Sequence, residues 1–507
     1  MAEIVIIPAA GLATRLRPIS NSMSKAMVPV VGKPILARII SSIRDKVDQI
    51  IVITGDNGDI ETYVKNLQGN TNITTVKQGV ANGPLGAVLV GASHLDIKDE
   101  DSVTIWLGDT LVDSEAEIDS FLKYDRNADQ NLVHLGVSEV EDFSRWCMFH
   151  YADKAFYDKP EVKPPTKMAL IGLYRFQSGK MFKEMLNNAY ETTVDHESLE
   201  LIHLLKQKDT SYRTTNFKSW LDCGDLPSLH NATSALINSK SRSHNTVSIN
   251  GQVVNKKLDN SNEVSWYKAV QSDNKVKSII PQFLGEESNG SFNIELCSGN
   301  SLQDMLVYDN IRPDCWSFII KTVVEAYSNT FNSVIEEPKF DPHHMFFWNI
   351  EKRLKKLGVF SGDIRHFVEE SYGMLPQLAE SSVIHGDFHF GNILYDASCN
   401  KVKLIDPRGE WCGIQTTTGN ILYDLAKFYQ SFYAKYAWIV SDEPVNEKMR
   451  QELIYITDLQ LNSPKIATVA KRYSIILLMS AIPLHYDNPV RQRLMMDTAI
   501  ELIGTYK

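Results

Sequence analysis

The sequence predicts an α/β chain built as two tandem units, the first a largely parallel sheet wound with helices, the second an α+β unit in which strands precede helices. Three observations lead there. The chain has 507 residues, whereas one hydrophobic core ordinarily serves about 100 to 200. From Glu3 to about Gly224 short β-branched runs alternate with helical patterns, the signature of βαβ units. The polar tract Asn238-Ser239-Lys240-Ser241-Arg242-Ser243-His244-Asn245 then breaks the apolar periodicity, as a linker does. The boundaries are 1–235 for the first unit, 236–245 for the linker and 246–507 for the second, with lobes at about 246–300 and 301–507.

The elements follow in order. Ile4 to Ile7 is the first strand, Pro34 to Lys46 a helix, Gln49 to Thr54 a strand and Ile60 to Leu67 a helix. Val103 to Leu107 is a short apolar run closed by Gly108-Asp109. It reads as a buried strand whose carboxyl end carries Asp109, and ligands bind at such ends. In the second unit Thr246 to Ile249, Gln252 to Val254 and Phe292 to Leu296 read as strands, with Asn250-Gly251 as a hairpin turn. From Ser317 onward helices dominate, interrupted by the cluster from Val383 to Asp406.

Composition narrows the function classes. An apolar fraction of 43% and a charged fraction of 22% support ordinary globular cores. A net charge of −10 argues against a general nucleic-acid or anionic-membrane binder, so phosphate recognition must be local. The start, Met1 to Pro8, lacks the basic region of a secretory signal, and the apolar run Ile475 to Leu484 is shorter than a membrane span and contains Pro483. A cytoplasmic enzyme of small molecules is the expectation. Cys147, Cys223, Cys297, Cys315, Cys399 and Cys412 lack metal-ligand spacing and read as reduced, structural thiols.

Pro8-Ala9-Ala10-Gly11-Leu12-Ala13-Thr14-Arg15-Leu16-Arg17-Pro18 follows the first strand, and Ser24-Lys25 comes soon after. Small residues such as Ala10, Gly11 and Thr14 let backbone N–H groups approach a triphosphate, while Arg15 and Lys25 neutralise departing pyrophosphate. With Gly32-Lys33-Pro34, this combination resembles the sugar-nucleotide pyrophosphorylase family, which includes phosphocholine cytidylyltransferases, over about Glu3 to Leu229. The resemblance implies a Rossmann-like, GT-A-like nucleotidyltransferase domain. It places base recognition on Gln78 and Gly83, Mg²⁺ on Asp109 and Asp222, and a phosphate-side lysine at Lys159. Two departures stand out: Ala13 replaces a glycine, tolerable at negative φ, and Asp225 replaces a threonine, which bears on sugar specificity. No hexapeptide repeat follows, which excludes the acetyltransferase partner of some relatives.

The second cluster is Val383-Ile384-His385-Gly386-Asp387-Phe388-His389-Phe390-Gly391-Asn392, followed by Lys403-Leu404-Ile405-Asp406-Pro407-Arg408. In-line phosphoryl transfer needs a carboxylate for the acceptor hydroxyl, and an amide oxygen and second carboxylate for Mg²⁺ on ATP. Asp387, Asn392 and Asp406 suit those roles. The cluster resembles the aminoglycoside phosphotransferase and choline kinase superfamily, which implies a bilobal, protein-kinase-like α+β fold. The resemblance further implies an ATP lysine at Lys256 or Lys257, a partner at Glu263, and an inter-lobe adenine segment at Glu295 to Cys297. His385 reads as structural. Arg408 either meets an anionic substrate group or pairs with Glu410. Trp411, Trp348, Phe347 and Tyr423 are candidates for a cation pocket, though core packing is their commoner role.

Together the halves imply a bifunctional enzyme that phosphorylates a hydroxylated metabolite with ATP, then joins the product to an NTP with release of pyrophosphate. Choline or ethanolamine with CTP is the leading pair, and Mg²⁺ serves both sites. The alternatives are a sugar kinase paired with a UTP- or dTTP-dependent transferase, and a chain in which one half only senses ligand, for which lost metal ligands would be the sign.

Overall fold

The computed structural model describes residues 1–67, 72–79, 83–123, 129–192, 201–206, 210–239, 246–258, 262–331, 350–360, 362–374, 381–411 and 414–506. Its contacts divide the chain into two units, Met1–Ser239 and Lys240–Lys507. The helix Leu226–Ser239 carries the first unit past the expected edge at 235. Positions 240–245 of the expected linker lie outside the described residues.

In the first unit a nine-stranded sheet orders its main path as Ala155–Asp158, Cys147–His150, Met168–Phe176, Ser102–Trp106, Glu3–Pro8, Gln49–Thr54 and Ile73–Lys77. The strand Glu3–Pro8 runs parallel to both neighbours, with Ile4 opposite Gln49 and Val103. All five residues of Ser102–Trp106 are buried, as expected for a strand covered on both faces. The sheet is mixed, however. Met168–Phe176 runs antiparallel to Ser102–Trp106 and to Leu132–Glu139, a reversal that no motif in the sequence signalled. Ile6, Ile53, Val88, Ile105 and Phe182 belong to the core packed against this sheet. Its parallel strands present Pro8, Thr54 and Trp106 at one end, where the connecting loops gather.

The second unit begins with an antiparallel four-stranded sheet in the order Thr246–Asn250, Val253–Lys257, Ser291–Glu295 and Phe283–Glu286. The turn at Asn250-Gly251 forms as expected, with Gly251 at a φ of 60°. The strand Phe283–Glu286 was not legible because Gly285 interrupts its short pattern. Beyond it, the helices Pro313–Phe331, Ile421–Phe432, Glu447–Leu461, Pro464–Ala481 and Pro489–Gly504 enclose a hairpin of Ile393–Asp396 and Lys401–Leu404. The apolar run near Ile475 belongs to a longer helical stretch, Pro464–His485, which by length and hydropathy matches a membrane span. It is 78% buried within the protein, which makes it a core helix.

Candidate functional site

In the first unit the loop after Glu3–Pro8 opens onto a cavity of about 470 Å³. Ala10, Gly11, Thr14, Arg15, Lys25, Gln78, Gly83 and Asp109 all line it, so residues far apart in sequence meet at one mouth. Gly108 is there for steric reasons: a Cβ would lie 2.9 Å from the Pro8 carbonyl oxygen, and the two strand ends could not approach. No heavy atom lies within 4 Å of the Cβ position of Gly11, which leaves the loop backbone open to a ligand. Lys25 is set by its neighbour, because Asp59 accepts from the Ser24 N–H at 2.7 Å and from its hydroxyl at 2.6 Å. The Gln78 amide donates to the Gly83 carbonyl at 3.1 Å.

The Lys25 ammonium pairs with Asp109. Asp222 faces the same space: a Cβ on Gly224 would stand 3.0 Å from Asp222 Oδ1 and 3.7 Å from Asp109 Oδ2. Burial first, and the charge of Asp109 with it, push the Asp222 carboxyl above its usual range. Two converging carboxylates beside a glycine that leaves room are a suitable donor set for a hard divalent cation. A second cavity, of about 310 Å³, is lined by Arg38, Trp106, Asp113 and Leu236 and by none of the catalytic or metal candidates.

In the second unit Lys256 Nζ meets Glu263 Oε1 at 2.7 Å and also pairs with Asp406. Lys256 and Glu263 are each only 7% exposed. Burial opposes the Lys256 charge, but Asp406 and Glu263 outweigh it and raise the pKa of the ammonium. Asp406 sits at a φ of 59°, which turns the chain toward this lysine. Asn392 is locked by its amide nitrogen, which donates to Asp387 O at 2.9 Å and Oδ2 at 3.1 Å. Its amide oxygen is the atom left for a cation, and the Ile405 N–H donates to Asn392 O at 3.0 Å, which brings Asp406 near, so the two could hold Mg²⁺. Among the described residues no cluster of three or more His, Cys, Asp or Glu side chains could hold a metal.

Asp387 is held from two sides, by Lys427 Nζ at 3.0 Å from Oδ1 and His389 Nε2 at 3.5 Å from Oδ2. Burial works against its ionisation, but Lys427 and His389 hold the carboxyl well below the usual range. The loop carrying it is anchored by buried Asp424, which accepts from the His385 and Gly386 N–H groups at 2.7 and 2.8 Å and from the Tyr327 hydroxyl at 2.6 Å. His385 is buried, and burial drives its pKa down to about 4. The imidazole is therefore neutral at pH 7, in keeping with a structural role.

Residues 4–239 match the Nucleotidyl transferase family. The first unit is a nucleotidyltransferase domain. Among curated relatives it is similar to the "Bifunctional protein GlmU" of Methanocaldococcus jannaschii, 29% identical over 40% of this chain and 47% of that protein. It is also similar to the "Bifunctional sugar-1-phosphate nucleotidylyltransferase/acetyltransferase" of Sulfurisphaera tokodaii, 26% identical over 43% and 51% respectively. The chain spans about half the length of these relatives. A solved structure of "UDP-glucose pyrophosphorylase from acinetobacter baumanii" superposes with a TM-score of 0.40 at 20% identity, over 48% of this chain and 95% of that one.

Several expectations are corrected. In the nucleotidyltransferase domain Ala13 has a φ of 51°, not the negative value that would make it innocuous. Asp225 serves the fold: it accepts from the Ser228 N–H at 2.9 Å at the start of helix Leu226–Ser239 and pairs with Arg145. Lys159 is absent from the cavity lining, and its backbone N–H donates to Trp146 O at 3.0 Å. In the second unit Lys257 is exposed at the strand end, so Lys256 alone has the site geometry. The expected adenine segment, a reading of backbone groups, is not among these corrections: there the Glu295 carboxylate accepts from the Gln282 N–H at 3.0 Å and pairs with Lys403 at 3.5 Å. Cys297 is half-buried beside it, its thiol pushed up to about 11 by burial. Arg408 forms no ion pair with Glu410; its Nε donates to the Glu410 backbone oxygen at 3.1 Å. Phe347 and Trp348 lie outside the described residues.

Two residues escaped the sequence reading. Arg145 Nη2 lies 3.7 Å from Asp222 and its guanidinium rests 5.3 Å from the Trp146 ring centroid. Lys427 comes from helix Ile421–Phe432, where one lysine among buried aromatics was the available signal.

Proposed function

We propose that the chain is a bifunctional enzyme in which the second unit phosphorylates a small hydroxylated molecule with ATP and the first transfers a nucleotidyl group to a phosphate monoester. The observation that carries this is a pair of separate cation–carboxylate constellations: Lys25 with Asp109 and Asp222, and Lys256 with Glu263 and Asp406 beside Asp387 and Asn392.

In the first unit a phosphate-monoester oxygen attacks the α-phosphorus of an NTP and the α–β bridging bond breaks, releasing pyrophosphate. Arg15 and Lys25 face the leaving group across the cavity, and Gln78 and Gly83 take the base. Asp109 and Asp222 would hold Mg²⁺, which supplies charge neutralisation at the phosphates. In the second unit ionised Asp387 accepts the acceptor hydroxyl proton as its oxygen attacks the γ-phosphorus and ADP leaves. Lys256, aligned by Glu263, meets the ATP phosphates, while Asn392 and Asp406 would hold the metal.

CTP with an amino alcohol remains one substrate pair for this scheme. A sugar-1-phosphate for the first unit is the second reading, favoured by the printed name of the Sulfurisphaera tokodaii relative. Purified protein with Mg²⁺, ATP and panels of NTPs and hydroxylated metabolites, followed by phosphorus NMR, tests the scheme. A new diphosphate diester signal with pyrophosphate is expected, and its absence across the panel overturns the coupled reading.

A further inference from the structure

Four buried or half-buried arginines in this protein pair with acids. Arg175 pairs with Glu3, Arg450 with Glu447, Arg472 with Glu370 and Arg491 with Asp442. Arg353 and Arg408 are the contrast. Both are partly buried, and among the described residues neither has a carboxylate partner.

Arg408 lies against the loop that carries Asp387. Its N–H donates to His385 O at 3.0 Å, and a Cβ on Gly386 would stand 2.8 Å from the Arg408 Cβ. Its guanidinium stacks 4.1 Å from the Trp411 ring centroid and donates through Nη1 to the Tyr423 hydroxyl at 3.3 Å. Arg353 donates through Nη1 to Ser480 O at 3.0 Å. Leu354, next to Arg353, packs in the same buried cluster as Trp411 and Tyr423, the two residues that hold the Arg408 guanidinium, and after burial the charge of Arg408 lowers the Arg353 pKa. Like charges held together out of bulk water repel, and a bound anion relieves them. The same stacking covers the Trp411 face that a quaternary ammonium would need.

We infer that Arg353 and Arg408 form an anion-binding subsite beside Asp387, so that the acceptor of the second unit is a small hydroxylated acid bearing a carboxylate or a phosphate. This rests on the phosphotransfer reading of that unit. An acid group held by Arg408 puts a hydroxyl of the same molecule beside Asp387, one residue from the Gly386 that Arg408 packs on.

The test is ATP-dependent phosphorylation of matched acceptors by the full chain: short hydroxycarboxylates, hydroxylated phosphate monoesters, the neutral amides of the former, and choline. At least tenfold higher kcat/KM is expected for the hydroxycarboxylate or the phosphate monoester than for the amide or choline, and the better of the two anions names the acid group. Arg408→Met and Arg353→Met should each remove most of that preference by raising acceptor KM, while Arg408→Lys retains part of it, which separates charge from folding. Equal or better use of the amide or choline overturns the subsite. So does a rise in KM for ATP with the acceptor preference intact. If no acceptor is phosphorylated, the phosphotransfer reading falls and calorimetry with a short hydroxycarboxylate decides the subsite alone. Binding lost in both Met variants sustains it, and no binding to wild type overturns it.

Discussion

Asp387 shows how much of a candidate catalytic residue is made by neighbours. Its carboxylate is kept ionised against burial by Lys427 at 3.0 Å and by His389. A depressed carboxyl pKa means that activity lost to protonation is lost only in acid, and removing the cation raises the pH at which this happens. Lys427→Met should therefore move the acid limb of the second unit's pH–rate profile upward by about one pH unit or more and lower kcat at neutral pH. An unchanged acid limb would show that Lys427 does not set the charge of Asp387. At the other site Ala13, at a φ of 51°, pays for a left-handed backbone that glycine adopts freely. Ala13→Gly should raise stability to urea by about 1 kcal/mol, read on the first unit's transition, and a loss of stability would count against strain at this position.

At the scale of elements, Asp225, read as bearing on sugar specificity, holds secondary structure in place. Asp225 caps helix Leu226–Ser239 through Ser228 and anchors Arg145, which in turn approaches Asp222. Burial opposes its ionisation, but the bonds from Ser228 and the charges of Arg145 and Arg15 keep its carboxyl below the usual range. Asp225→Ala should cost about 1 kcal/mol through the lost cap. It should also weaken nucleotidyl transfer by freeing Arg145 near the candidate metal ligand Asp222, measured as kcat/KM alongside a thermal melt. Asp225→Asn separates the two effects, since it keeps an acceptor for the Ser228 N–H and loses the charge for Arg145. In the second unit, helix Ile421–Phe432 does double duty, bringing Asp424 to the loop backbone and Lys427 to Asp387.

At the scale of the whole molecule, the contacts separate two units after Ser239, each with its own core and its own candidate site. Asp387→Asn should abolish ATP-dependent phosphorylation, while coupling of a supplied phosphorylated substrate continues at the wild-type rate. Asp109→Asn should do the reverse, each measured by phosphorus NMR. Loss of both activities in either variant would show that the sites are not separable. The motifs that identified both sites were legible because they are local: a loop directly after a strand, or a His-Gly-Asp run followed within a few residues by Asn392 and soon by Asp406. Arg145 and Lys427 were not, because each reaches its site from an element distant in sequence, and nothing local marks a side chain for a partner on another element.

The amino-acid sequence by itself determined the two-unit plan, the alternation that builds the first sheet, and the local loops carrying Arg15, Lys25, Asp109, Asp387, Asn392 and Asp406. These follow from periodicity and short-range chemistry, which depend on neighbours along the chain. Tertiary structure alone decided that Lys256 rather than Lys257 meets Glu263 and Asp406, because strand alternation turns one of two adjacent lysines inward. It alone turned Met168–Phe176 antiparallel and set the Arg408 guanidinium on Trp411. In each case the partner is remote in sequence, and only the packing of whole elements fixes which surfaces meet.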